Sequence, residues 1–330
     1  MKLATLKRGG RDGTLVVVSK DLTHAVTVTD LSPTLQHALD TWDTTAPKLE
    51  KVYADLNAGK AHGAFTLNMA DLHSPLPRAY QWLDCSAYVR HVELVRKARG
   101  VEMPPHFWTN PLMYQGLSDT FLAPTDPIPF QNPDFGLDLE AEVAVITGDV
   151  PMATPAAEAA KYVRLIVLVN DVTLRGLTKD ELDKGFGFVQ SKPASSFSPI
   201  ALTPDELGDA WKGGKVHLPI RSFINGTVLG TPNAGVDMTF SFFDLIAHAS
   251  RTRTLGAGSI LGGGTVANIT AEGQAGVGSS CLAEVRMLET LHHGAAKTPW
   301  LQPGDTVRIT MTGPKGEPLF GAIEQTVRKV

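Results

Sequence analysis

The sequence predicts a mostly β protein of the α+β class: a small N-terminal β/α unit, residues 1–75, then a larger β-rich unit, residues 76–330. Three observations predict it. Short runs rich in Val, Ile, Leu and Thr recur between turns bearing Gly, Asn or Asp. Stretches with helical apolar spacing are few. The segment LHSPLPRAYQW, residues 72–82, carries two prolines and no periodicity, and it separates the two patterns.

Taken in order, KLATL, TLVVVS and HAVTVT read as strands separated by the turn clusters RGGRDG and KDLT. Residues 32–58 read as helical. Ser32 is a candidate cap, Pro33 suits the first turn, and Leu35, Leu39 and Trp42 share a face. Pro47 predicts a division into two helices. After the boundary, EAEVAVI, RLIVLVN, KVHLPIRSFINGTVLG, TVRITMTG and FGAIEQTVRKV read as strands, and Asn225-Gly226 marks a hairpin turn. TPDELGDAW and SFFDLIAHASRT read as helices. His292-His293 lies in a polar stretch and reads as solvated.

Of 330 residues, 43% are hydrophobic, enough for a substantial core, and 19% are charged, too few for disorder. A net charge of −4 argues against nucleic acid or an anionic membrane as the main partner. The start, MKLATLKRGGRDG, has no apolar signal region, and no run approaches membrane-spanning length. Two cysteines far apart, Cys85 and Cys281, exclude a disulfide scaffold and fit a reducing cytoplasm. A G-x-S-x-G elbow, a phosphate-binding P-loop and H-E-x-x-H are all absent. GAGSILGGGT lacks the dinucleotide spacing and reads as a turn or a close backbone approach.

The chemistry lies in GLDLEAEVAVITGDV, residues 136–150, where Glu140 and Glu142 open a run apolar on both faces. Such a strand is buried on both sides, and two unpaired carboxylates at its mouth repel one another. A divalent cation removes both costs. RLIVLVNDVTLR offers Asp171 at the end of another buried strand, and DCSAYVRH offers Asp84 with His91 seven residues on. Each piece also has an ordinary reading: a solvated edge strand, an Asn-Asp turn, a pair of surface residues. Together, four carboxylates without a required thiolate or imidazole select Mg²⁺, Mn²⁺ or Ca²⁺. Lys192, in QSKPASSFSP, is a candidate to balance the excess charge.

The order of these pieces resembles the fumarylacetoacetate hydrolase family. DCSAYVRH, YQG at 114–116, DLEAEVAVITG, LVNDVTLR, QSKPASSFSP, GGGTVAN, SSCLAEVRMLE and LQPGDTVRI carry the resemblance over nearly the whole chain. It implies a twisted β roll or sandwich with a small SH3-like N-terminal domain, and a homodimer. It implies metal ligation by Asp84, Glu140, Glu142 and Asp171, with Mg²⁺ the first choice of ion. It implies His91 as general base oriented by Glu284, catalytic help from Lys192, and substrate contacts from Arg175, Tyr114 and Thr265. Ser86 and Thr178 stand where the family's eukaryotic hydrolases carry tyrosine and glutamine, and an expected arginine is matched by Arg99 one residue out of register.

The implied substrate is a small anionic diketo acid. Fumarylacetoacetate, cleaved to fumarate and acetoacetate in tyrosine breakdown, is the first expectation. The alternatives are hydrolysis of an acylpyruvate, or decarboxylation or hydration of an unsaturated 2-oxo acid. A non-catalytic cation-binding β module would keep the acids but has no use for a His–Glu pair.

Overall fold

In the computed structural model, which describes residues 1–98, 100–270 and 274–330, the chain is a mixed α+β protein whose strands form open sheets rather than a closed barrel. The α+β class holds, with helix (25%) nearly as abundant as strand (29%). The strands expected at Lys2–Leu6, Thr14–Val18, His24–Thr27, Ala141–Thr147, Val163–Asn170, Thr306–Thr312 and Pro318–Lys329 are all present. Asn225 and Gly226 both take positive φ (51° and 76°), the geometry of a type I′ turn joining Arg221–Ile224 to Thr227–Gly230.

The larger sheet runs from the N-terminal strands to the acidic strand without a break. Lys2–Leu6 pairs with Thr14–Val18 on one side and Ile200–Leu202 on the other. Beyond it come Val163–Asn170, Ala141–Thr147, Ile260–Gly262, Trp82–Cys85 and Met113–Gln115. Val163–Asn170 and Ala141–Thr147 are buried almost throughout, as their two-sided apolar pattern requires. A second sheet orders Thr227–Gly230, Arg221–Ile224, Thr306–Thr312, Pro318–Lys329 and Ile128–Phe130. One core cluster draws on both sheets, including Val145 and Leu168 from the first and Ile309 and Ile323 from the second. A polar bridge also joins them: buried Asn170 donates from Nδ2 to Gln325 Oε1 at 2.9 Å. Its Oδ1 accepts the backbone N–H of Glu140 at 3.2 Å.

Several local expectations are corrected. The N-terminal helices are Leu35–Asp40 and Trp42–Asn57, broken at Thr41, with Pro47 inside the second. The cap is Thr34, whose side chain accepts from the N–H of His37, while Ser32 bonds to the Thr34 carbonyl. Residues 204–210 form two short 3₁₀ segments separated by a kink at Gly208 (φ 51°, ψ −130°), whose backbone is not helical. His91 lies in a helix, Val89–Ala98, and two more helices without an expected counterpart are Arg175–Lys184 and Leu282–His293. His292 and His293 are exposed, as expected. No helix among the described residues is long and apolar enough to cross a membrane.

Replacing Asn170 by Ala leaves a buried backbone N–H and Gln325 Oε1 without partners. We expect a loss of about 1–3 kcal/mol of unfolding free energy, the usual cost of orphaning a buried polar group. Denaturant melts of Asn170→Ala check this, and a midpoint equal to the parent's refutes it.

Candidate active site

Three strand ends converge on one place. Asp84 sits on Trp82–Cys85, Glu142 on Ala141–Thr147, and Asp171 directly follows Val163–Asn170. Carboxylate oxygens of these three residues lie within 4.8 Å of one another, all in buried positions. The strand Ile260–Gly262 runs between the first two, and Gly262 makes the approach possible. A Cβ at that position would stand 2.4 Å from Asp84 Oδ1 and 3.1 Å from Glu142 Oε2. Gly264, at φ +80°, turns its N–H onto Glu142 Oε2 at 3.0 Å. The glycine cluster is therefore the close backbone approach that its spacing suggests.

The charge balance is uneven. Burial, and after it the charge of Asp171, pushes the Asp84 carboxyl up to about 8; burial and the charge of Asp84 push Glu142 well above the usual carboxylate range. Asp84 Oδ1 and Glu142 Oε1 are buried without a hydrogen-bond partner among the described residues. Two orphaned oxygens in an all-carboxylate cluster fit a hard divalent cation.

Glu140 is engaged differently. It stands just outside the strand, and its oxygens accept from Arg175 at 2.6 Å, from the Thr173 hydroxyl at 2.9 Å, and from Lys192. Burial pushes its carboxyl up, but Arg175 and Lys192 outweigh that and hold it below the ordinary value. It borders the triad rather than joining it. Lys192 also donates to Asp171, which further accepts from the Tyr114 hydroxyl at 2.6 Å and the Ser195 hydroxyl at 2.7 Å. Arg175 makes a second ion pair, with Asp138 at 2.9 Å. Both cations are thus spoken for by carboxylates of the protein.

A cavity of about 260 Å³ opens beside the triad, at Asp84 and Glu142. Asp84, Tyr114, Glu140, Glu142, Arg175, Lys192 and Thr265 line it, as does His91. His91 Nδ1 faces Glu284 Oε1 at 3.6 Å. Glu284, almost wholly buried in the helix Leu282–His293, has no hydrogen-bond partner on either oxygen among the described residues. Ser86 and Thr178 also line the cavity, while Arg99 lies outside the described residues. Val92, Leu112, Leu182 and Phe188 supply an apolar wall.

Sequence reasoning missed the brace behind this wall. Glu181 accepts from the N–H groups of Val189, Gln190 and Ser191 and from the Ser191 hydroxyl, fixing the segment that ends in Lys192. Burial raises its pKa, but these bonds outweigh burial and bring it down to about 2. An acid just before the glycines of KGFG was the available signal.

Comparison with known proteins follows the same lines. Residues 81–328 match the family model described as fumarylacetoacetate (FAA) hydrolase C-terminal, and residues 1–78 match fumarylacetoacetase N-terminal domain 2. Among curated proteins, the chain is similar to a 2,4-didehydro-3-deoxy-L-rhamnonate hydrolase of Sphingomonas sp. That match is 29% identical over 48% of this chain and 53% of that protein. It is also similar to a mitochondrial oxaloacetate tautomerase of Rattus norvegicus, 28% identical over 47% of this chain and 48% of that one. The chain spans about half the length of these two relatives. Among solved structures, maleylpyruvate hydrolase from Sphingobium sp. SYK-6 shares the fold over 100% of both chains, with a TM-score of 0.66 at 17% identity.

Two outcomes test the site. Mg²⁺ or Mn²⁺ at about a hundredfold its dissociation constant should stabilise the fold by about 2.7 kcal/mol. Thermal melts with and without chelator read this as a rise in Tm. Gly262→Ala, which drives a methyl into Asp84, should abolish the rise; a full rise in that variant counts against the triad as the ion's site. The second outcome concerns acid. A carboxyl whose folded pKa is depressed stabilises the protein above its unfolded value, here 4.5, and loses that effect as pH falls towards about 2. Denaturant midpoints of the parent and Glu181→Gln should therefore differ at pH 7 and converge between pH 4.5 and 2. A gap constant with pH excludes the brace as drawn.

Proposed function

This chain belongs to the fumarylacetoacetate hydrolase family, and from that premise we propose that it is a metal-dependent hydrolase cleaving a carbon–carbon bond of a β-diketo acid. Relatives and neighbours carry the names of hydrolases, isomerases and tautomerases acting on oxo acids. The observation that carries hydrolysis is the placement of His91, which faces Glu284, in the wall of the cavity that Asp84 and Glu142 also line. Decarboxylation needs no activated water, and a passive cation site needs no base.

In this reading Asp84, Glu142 and Asp171 hold the ion, with Glu140 at its border. Mg²⁺ is the first choice, and Mn²⁺ and Ca²⁺ suit the same oxygen ligands. When bound, the ion supplies Lewis acidity for the two substrate oxygens and for the leaving enolate. Glu284 would accept a hydrogen bond from His91 Nδ1–H, which leaves Nε2 free to take a proton from water. The 3.6 Å separation is beyond hydrogen-bond range, and this reading requires it to shorten when substrate binds. Hydroxide adds to one carbonyl, the adjacent C–C bond breaks, and the electron pair departs on carbon as an enolate that is reprotonated. Lys192 neutralises Glu140 and Asp171 at the cavity floor, Tyr114 fixes Asp171, and Thr265 borders the substrate.

Fumarylacetoacetate is the first substrate proposed. A second reading, acylpyruvate hydrolysis, is favoured by a specific observation. Arg175 is paired with Asp138 and Glu140, so it is not free to receive a second substrate carboxylate, and the cavity wall is apolar at Val92, Leu112, Leu182 and Phe188. We also propose a homodimer in the cytoplasm, with a division near residue 75 between an N-terminal unit and the catalytic one.

His91→Ala should keep the metal-induced rise in Tm while kcat falls about 10²–10⁴-fold, the scale of a lost general base. Glu284→Gln should move kcat in the same direction by less. Simultaneous loss of metal and turnover would make His91 a ligand instead. A panel at fixed Mg²⁺, with products identified, then separates the readings. Fumarate with acetoacetate supports the first, and faster release of pyruvate from an acylpyruvate supports the second. Enol–keto conversion without cleavage, or carbon dioxide as product, rejects hydrolysis.

A further inference from the structure

The chemistry above makes no use of Asp138, an acid two residues before Glu140 and 0% exposed. Its Oδ1 accepts the backbone N–H of Leu282 at 2.7 Å. Its Oδ2 accepts the N–H of Ala283 at 3.0 Å and Arg175 Nε at 2.9 Å. Leu282 and Ala283 open the helix Leu282–His293, whose preceding residue, Cys281, makes no side-chain capping bond. Asp138 therefore supplies, from a distant strand, the acceptors that a local cap would give. The third residue of that helix is Glu284, the partner of His91. Arg175 in turn donates to Glu140 at 2.6 Å.

One carboxylate thus touches both halves of the site. We propose that Asp138 is the positioning residue that couples them: it fixes the helix start that aims Glu284 at His91, and through Arg175 it fixes Glu140 beside the metal-binding acids. Its catalytic arm rests on His91 acting as general base; its metal arm does not.

Asp138→Asn keeps the size and removes the charge. We expect kcat to fall about 10–100-fold with less change in KM, and Mn²⁺ affinity measured by calorimetry to weaken by a similar factor, the range seen when outer supports of a site are removed. A purely structural cap would lower Tm and leave kcat per active site and Mn²⁺ affinity unchanged, which overturns the proposal. Combining Asp138→Asn with Glu284→Gln distinguishes further. If Asp138 acts through Glu284, the double variant is about as slow as the slower single one. Penalties that multiply overturn the catalytic arm.

Should Asp138→Asn fail to fold, Leu282→Pro deletes the 2.7 Å bond at a first helical position where proline is accepted, and Leu282→Ala, which keeps the N–H, controls for the buried leucine side chain lost with it. Cys281 before it is already extended (φ −151°, ψ 159°), as proline requires. Leu282→Pro should lower kcat below that of Leu282→Ala and leave Mn²⁺ affinity intact; a kcat equal to that of Leu282→Ala counts against the catalytic arm. If the parent protein turns over no β-diketo acid, the functional reading fails on its own. Mn²⁺ calorimetry and the ¹⁵N resonances of the His91 imidazole in Asp138→Asn then decide the positioning role, and it is overturned if neither moves.

Discussion

Everything about this site follows from the cost of gathering acids where water cannot reach them. Asp84, Glu142 and Asp171 crowd together behind the ends of buried strands, with Glu140 and Asp138 close by. Like charges in low dielectric repel strongly, and each carboxylate must find a proton, a cation or a set of N–H donors. The structure uses different remedies side by side. Asp138 and Glu140 are met by Arg175, Glu140 and Asp171 by Lys192, and Asp171 by two hydroxyls besides. Asp84 Oδ1 and Glu142 Oε1 are left without a partner among the described residues, a pattern that fits a metal ion.

The sheet makes such crowding possible. Parallel pairing of Ile260–Gly262 with Trp82–Cys85, and antiparallel pairing with Ala141–Thr147, sets Asp84 and Glu142 on either side of a glycine that has no side chain to exclude them. Helices then approach this end and bring the non-metal groups: Val89–Ala98 carries His91, Leu282–His293 carries Glu284, and Arg175–Lys184 begins with Arg175 and contains Glu181. Strands hold the charge, and helices bring the groups that would act on a substrate.

How much of this was legible in the sequence depended on whether the signal was local. Strands buried on both faces announced themselves through uninterrupted apolar runs such as RLIVLVN, and the hairpin through Asn225-Gly226. The acids were visible because carboxylates beside such runs are costly. What each acid touches was not visible. Period-two alternation would place Glu140 and Glu142 together, but the regular strand begins at Ala141, so alternation does not bind Glu140, which turns to Arg175. The helix Leu282–His293 escaped detection because its buried face carries Glu284 among Leu282 and Met287, which breaks the apolar stripe. Arg175 and Lys192 look like free cations in one dimension; their partners are brought by folding from distant segments.

The pairing of Trp82 with Ile260 bears also on the order in which the molecule can form. Contacts between segments so distant in sequence carry a large loop-closure cost and form late unless earlier structure shortens the search. The hairpin-like pairing of Ala141–Thr147 with Val163–Asn170 is local and can precede it. On the ribosome, the chain would display Asp84, Glu142 and Asp171 long before the strand that brings two of them together, and longer still before Glu284, has been synthesised. A nascent or truncated chain ending before residue 260 would therefore carry all three acids of the triad without the geometry to use them.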